Sequence, residues 1–194
     1  MTDGYPISLI NGLRIQGDSI PDTKASRILS ALLLKPNEVL DGESLIEAGW
    51  YDDRVAGGTE KIRGNRPRML KYLANAGVES CELKARGGGS YELQIDPGQI
   101  DVFDILDRVE RAAELQVDGS VVAAARELER IVPLFRSDIK SLGTIKPPAD
   151  SIWADSVAEV AHLRVRCLQD YFLCVFEETD CELENLLRAL SVTD

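Results

Sequence analysis

Lys61, Arg63, Arg66, Arg68 and Lys71 fall within eleven positions, in a chain of 194 residues whose formal net charge is -11. Cations packed this densely can neutralise phosphates, and each phosphate contact releases condensed counterions. Two residue types in the stretch suit base reading as well. Arginine forks match the guanine edge, and an asparagine such as Asn65 matches adenine. Lys84 and Arg86 follow, beside Gly87-Gly88-Gly89, where they can reach a nucleic-acid backbone or a minor groove. The same charges also suit a solvated helix face. The absence of acid between Lys61 and Lys71 favours the phosphate chemistry.

Such residues need an element to present them. Thr59 to about Asn75 reads as a helix ending near Ala76-Gly77. Ser80 to Ile95 reads as a hairpin, with Cys81, Leu83, Leu93 and Ile95 on its inner face and the three glycines at its tip. Upstream, Ile7–Ile10 and Leu13–Ile15 flank Asn11-Gly12, a strong signal for a tight hairpin turn. Lys24–Lys35 carries Ala25, Ile28, Leu29, Leu32 and Leu33 at helical spacing, with Thr23 or Asp22 as cap and Pro36 as stop. An extended step, Glu38–Leu40, leads to Asp41, which caps a second helix bearing Leu45, Ile46 and Trp50. Strands, three helices and a hairpin in this order describe a winged helix-turn-helix with an N-terminal sheet.

Gly64 and Pro67 disturb the third helix. A proline inside a helix costs about 3 kcal/mol, and a glycine roughly 1 kcal/mol. Arg66 falls near the inward row of Ile62, Met69 and Leu73. Two arrangements accommodate this: a short helix that begins at Pro67, or a degenerate winged helix that has lost base reading and serves protein contacts.

Asp96-Pro97-Gly98 marks the expected domain boundary. Residues 1–97 hold 12 Lys/Arg and 14 Asp/Glu, whereas 98–194 hold 10 and 19, so the acidity belongs to the second half. That half reads as all-helical. Asp101–Gln116 has Val102, Phe103, Leu106, Val109 and Ala113 on one side, and Ser120–Arg136 has Val122, Ala125, Leu128, Ile131 and Val132. A long helix is expected over about 151–178 and a final one from Asp180 to about Leu190. Helix pairs of this length suggest a tetratricopeptide-like bundle. The fold class is α+β.

Other chemistry finds little support. Cys81, Cys167, Cys174 and Cys181 form no CxxC pair, and His162 is the single histidine. Buried thiols in a reducing compartment are expected, with no metal and no cofactor. The last three cysteines are spaced by seven, which suits core packing on one helix face. Walker, Rossmann, GxSxG and HExxH patterns are absent, so no enzyme is expected. No apolar run is long enough to cross a membrane, and the N-terminus lacks a signal-peptide pattern. Cytoplasmic, nucleoid-associated placement follows as an expectation.

Several segments in order resemble the Streptomyces antibiotic regulatory protein family, whose members join an OmpR-type winged helix to a bacterial transcriptional activation domain. Arg27–Leu34 is similar to that family's first helix, and Asn37–Trp50 to its extended step and second helix. Arg68–Leu73 stands where the family has the basic end of its recognition helix, and Gly89-Ser-Tyr-Glu-Leu93 resembles the close of its wing. Ile100-Asp-Val-Phe-Asp104 then resembles the opening of the activation domain, and Trp153-Ala with Leu163-Arg a later helix. The resemblance implies a winged-helix DNA-binding domain over 1–97 and a short helical activation domain over 98–194. It further implies binding to direct repeats in double-stranded promoter DNA through Lys61, Arg63, Asn65, Arg66, Arg68, Lys71, Lys84 and Arg86. The helical half would mediate homodimerisation or contact with RNA polymerase subunits.

Overall fold

Helix α1 (Lys24–Leu34) is buried on almost every side, which makes it the centre around which the N-terminal half is arranged. Thr23 and Ser26 close a reciprocal capping box at its start, with the Ser26 amide donating to Thr23 Oγ1 at 3.3 Å and the Thr23 amide to Ser26 Oγ at 2.8 Å. Against α1 pack helix α2 (Gly42–Trp50), helix α3 (Glu60–Asn75) and strand β6 (Ser90–Gln94). Asp41 caps α2 as its position suggests: its Oδ1 accepts from the amides of Glu43 (2.8 Å) and Ser44 (2.9 Å). Those bonds, led by the ones from Ser44, hold its carboxyl below the usual range.

This computed structural model describes residues 5–10, 12–50, 59–78, 81–135, 143–145 and 153–191, the last fifteen of them by backbone alone. The fold is mixed α+β. One small antiparallel sheet has the order β1 (Ile7–Ser8), β2 (Arg14–Ile15), β3 (Asp18–Ser19). The other has the order β4 (Val39–Leu40), β6, β5 (Glu82–Gly87), with Leu83 opposite Leu93 on the buried side. The chain divides into two compact units. The first contains residues 1–104 and 136–161, and the second 105–135 and 162–194.

The N-terminal strands differ from the tight Asn11-Gly12 hairpin expected from sequence. Ile7 pairs with Ile15 and Ser8 with Arg14, which leaves 9–13 as a wider loop; Asn11 itself lies outside the described residues. The reason is that the loop's hydrogen bonds are committed elsewhere. The Leu9 and Ile10 amides donate to the Asp101 carboxylate at 2.8 and 3.1 Å, and the Leu9 carbonyl accepts from the Gly143 amide at 2.7 Å. Leu9, Ile10 and Leu13 are fully buried. The tight turn lies instead at Gln16-Gly17, both at positive φ (51° and 84°), between the paired residues Ile15 and Asp18.

Asp101 opens helix α4 (Asp101–Val117), and its carboxylate accepts four hydrogen bonds. Besides the two loop amides, it accepts from Ser8 Oγ at 2.5 Å and from the Val102 amide at 2.8 Å. Burial pushes its carboxyl up to about 6, against the pull of these donors. Ile7 forms a parallel bridge with Ile100 just before it.

In the second unit α4 is followed by α5 (Val121–Ile131), across a turn at Gly119 with φ 75°. The buried residues are Ile105, Val109 and Ala112 on α4, and Ala124, Ala125, Leu128 and Ile131 on α5. The faces are rotated slightly from those expected: Leu106 and Val122 are exposed. Helix α5 also stops before Arg136, because Pro133 turns its end into a 3-10 segment over Val132–Leu134. Arg108 and Glu127 join the pair at 3.0 Å. Helix α6 runs unbroken over Ala154–Ser191, where two helices were expected. No glycine or proline occurs between those residues, so nothing in the backbone chemistry ends the helix near Asp180. Cys167 and Cys174 are buried as expected from their spacing, and burial pushes the Cys167 thiol up to about 11. The side chain of Cys181 and most of the irregular segment 137–150 lie outside the described residues.

Candidate nucleic-acid interface

Helix α3 neither starts at Pro67 nor breaks there. It begins at Glu60 and continues through Pro67 to Asn75. Pro67 is exposed, so the Arg63 carbonyl that loses its amide partner is on the water side of the helix. The helix therefore presents two faces along its full length. At 100° per residue, Ile62, Arg66, Met69 and Leu73 share about 60° of arc. Ile62, Met69 and Leu73 are buried. Lys61, Gly64, Arg68 and Lys71 share about 80° of arc on the opposite side, with Arg63 on the flank. Arg63, Arg68 and Lys71 are exposed and Lys61 is half-buried. Among the described residues no carboxylate pairs with any of these four cations. A Cβ on Gly64 would meet nothing within 4 Å, so the centre of the basic row is an open, side-chain-free step.

Two of the expected residues are placed elsewhere. Arg66 is half-buried on the inner row, and its Nε has no hydrogen-bond partner. Asn65 is half-buried, and its amide donates back to the Lys61 carbonyl at 2.9 Å. Arg66→Met is thus expected to raise stability by about 1 kcal/mol, since it removes a buried unpaired donor. Any DNA affinity carried by the basic row should stay within about twofold, because that row is untouched. Chemical denaturation and a binding titration on the same variant check both halves.

The hairpin carries its cations differently. On the outer side of β5 and β6, Lys84 pairs with Glu82 at 3.3 Å. Arg86 Nε donates to Glu92 Oε2 at 2.6 Å, and its Nη2 donates to the same oxygen. Gln94 occupies the other oxygen of Glu92 at 2.8 Å. Glu92 is only 6% exposed and stands directly across the ladder from Lys84. The Gln94 amide, then the Arg86 guanidinium, hold its carboxyl below the usual range. Two cations thus meet two carboxylates. Sequence reading passed over Glu82 and Glu92; alternation puts Glu82 beside Lys84, whereas the place of Glu92 opposite Lys84 depends on the β5–β6 register.

The tip is fixed by close approach. Gly87, Gly88 and Gly89 all have positive φ (84°, 57° and 81°). A Cβ on Gly89 would lie 2.0 Å from Thr59 Cγ2, and one on Gly42 would lie 2.6 Å from the same atom. Thr59 at the head of α3 is thereby seated between the tip and the start of α2. Gly88→Ala should cost about 1–2 kcal/mol, the ordinary penalty of left-handed backbone. Gly89→Ala should cost clearly more, and Thr59→Gly, which also removes the Thr59 Cβ at 2.1 Å, should recover part of the difference. Thermal unfolding of the three variants reads this directly.

Among the described residues no group of three or more His, Cys, Asp or Glu is placed to hold a metal ion. No described helix is long and apolar enough to cross a membrane. No protein-family model matches the chain, and no curated protein matches it by sequence. Its fold is similar to the solved structure of Mycobacterium tuberculosis EmbR in complex with a low-affinity phosphopeptide, at 19% identity and a TM-score of 0.58. That similarity covers 87% of this chain and 42% of the EmbR chain, so the present chain spans less than half of its neighbour's length.

Proposed function

We propose that this chain is a DNA-binding transcriptional regulator of the Streptomyces antibiotic regulatory protein type. In this reading, residues 1–97 act as an OmpR-type winged helix on promoter direct repeats. Residues 98–194 act as a short activation domain of tetratricopeptide-like helices, for dimerisation or contact with RNA polymerase subunits. The protein then works in the cytoplasm, at the nucleoid. The observation that carries the reading is the row on α3. Lys61, Arg68 and Lys71, flanked by Arg63, form an open cationic face on one helix of an otherwise acidic chain, directly before a glycine-tipped hairpin. The EmbR-like fold is compatible with it.

A second reading draws on the paired hairpin charges. A winged helix whose hairpin is neutral suits protein contact better than phosphate contact, and the chain would then modulate another regulator without binding DNA. Mobility-shift titration against DNA upstream of the neighbouring genes, at low salt, separates the two. A shifted band weakened by Arg68→Ala supports the regulator. No shift on any upstream fragment, with a stable complex to another protein, supports the interaction module.

A further inference from the structure

We propose that Glu92 is an internal competitor for DNA phosphate: it occupies Arg86 within the hairpin, so that the chain engages DNA through α3 alone. This rests on the DNA-binding reading and deepens it, by assigning which cations enter the contact and which residue excludes the others.

The geometry takes one edge of the Arg86 guanidinium and meets its charge. Its Nε and Nη2 both converge on Glu92 Oε2, so that edge of the fork is not offered to a phosphate oxygen. Glu92 is not a casual partner that swings aside. Its side chain is covered by its neighbours, sits in the central strand of its sheet, and is held on its other oxygen by Gln94. The Arg86 side chain, by contrast, remains 43% exposed, close enough to solvent to reach a strand if its partner were removed. Lys84 is cross-strand from the same carboxylate and pairs with Glu82, so it does not replace Arg86. On α3 the pattern is the reverse, with Arg63, Arg68 and Lys71 exposed and no carboxylate paired with them among the described residues.

Glutamine at position 92 keeps the size of the site and removes the charge; its single acceptor oxygen serves Arg86 or Gln94, and both bonds are kept only if the Gln94 amide turns over. For a DNA fragment bound by the wild type, Glu92→Gln is expected to steepen the dependence of log affinity on log salt by about 0.9 and to raise affinity several-fold, about 3–10-fold, at low salt. Arg86→Ala alone should leave the slope unchanged, since Arg86 is already occupied. Glu92→Gln with Arg86→Ala should return to the wild-type slope. Retention on a sulfated polyanion column is the second readout: Glu92→Gln should elute at higher salt than wild type, and the double variant should not. If Arg68→Ala weakens binding while Glu92→Gln changes neither slope nor retention, the assignment of Glu92 is wrong and the regulator reading stands. The assignment is equally wrong if Arg86→Ala alone flattens the slope. If neither wild type nor Glu92→Gln binds DNA at low salt, the regulator reading fails and this contact with it.

Discussion

Asp101→Ala should lower the unfolding free energy by about 3–5 kcal/mol, because it strands buried donors at Ser8, Leu9 and Ile10. No other single polar side chain described here fastens so much of the N-terminal segment. The loss should be centred on β1 and its loop, so hydrogen exchange at Leu9 and Ile10 should accelerate more than exchange in α1. The effect also has a pH signature. Burial raises the folded carboxyl from 3.8 to about 6, so between those values the folded state binds the proton better than the unfolded chain. The corresponding stability is fully present below about pH 3.8 and is lost as pH rises through about 6, a swing of about 3 kcal/mol. The gap between wild type and Asp101→Ala should therefore widen as pH falls from 7 toward 4. Urea titrations at pH 7 and pH 5 measure it; a gap that narrows on acidification would mean that the hydrogen bonds, not burial, set this carboxyl.

The second large effect concerns the α3 row. Arg63→Ala with Arg68→Ala should weaken promoter binding by about 10-fold to 100-fold or more at moderate salt, through lost phosphate or base-edge contacts. Both side chains are exposed, so unfolding curves should barely move. The pairing of a large binding loss with an unchanged fold distinguishes an interface from a packing role.

Much of this layout was legible in the chain. Periodicity located α1 to within a residue, Asp41 declared its cap, Thr23 proved the cap of α1 where Thr23 or Asp22 was expected, and the triple glycine marked the hairpin tip. These features are local, and local chemistry decides them. What escaped was decided at a distance. The Asn11-Gly12 signal is overridden by a carboxylate about ninety residues away. Arg66 could be placed on the inner row from spacing, but its unpaired Nε depends on packing. Pro67 was expected to start or spoil a helix. Its exposure lets the helix run through it, and exposure follows from tertiary placement rather than from propensity. The neutral hairpin was hidden for a similar reason, since Glu92 meets Arg86 only once β5 and β6 are in register. The division at Asp96–Gly98 marks a turn in the chain, while the first compact unit also draws in 136–161, a return that no composition shift announces.

The most direct test of the central claim is the salt dependence of DNA binding by the intact chain. Four cations on α3 and none from the hairpin predict a slope of about -3 to -4 per bound protomer in log affinity against log salt, falling by about 0.9 in Arg68→Ala. No binding at low salt, or a slope that Arg68→Ala leaves unchanged, would contradict it.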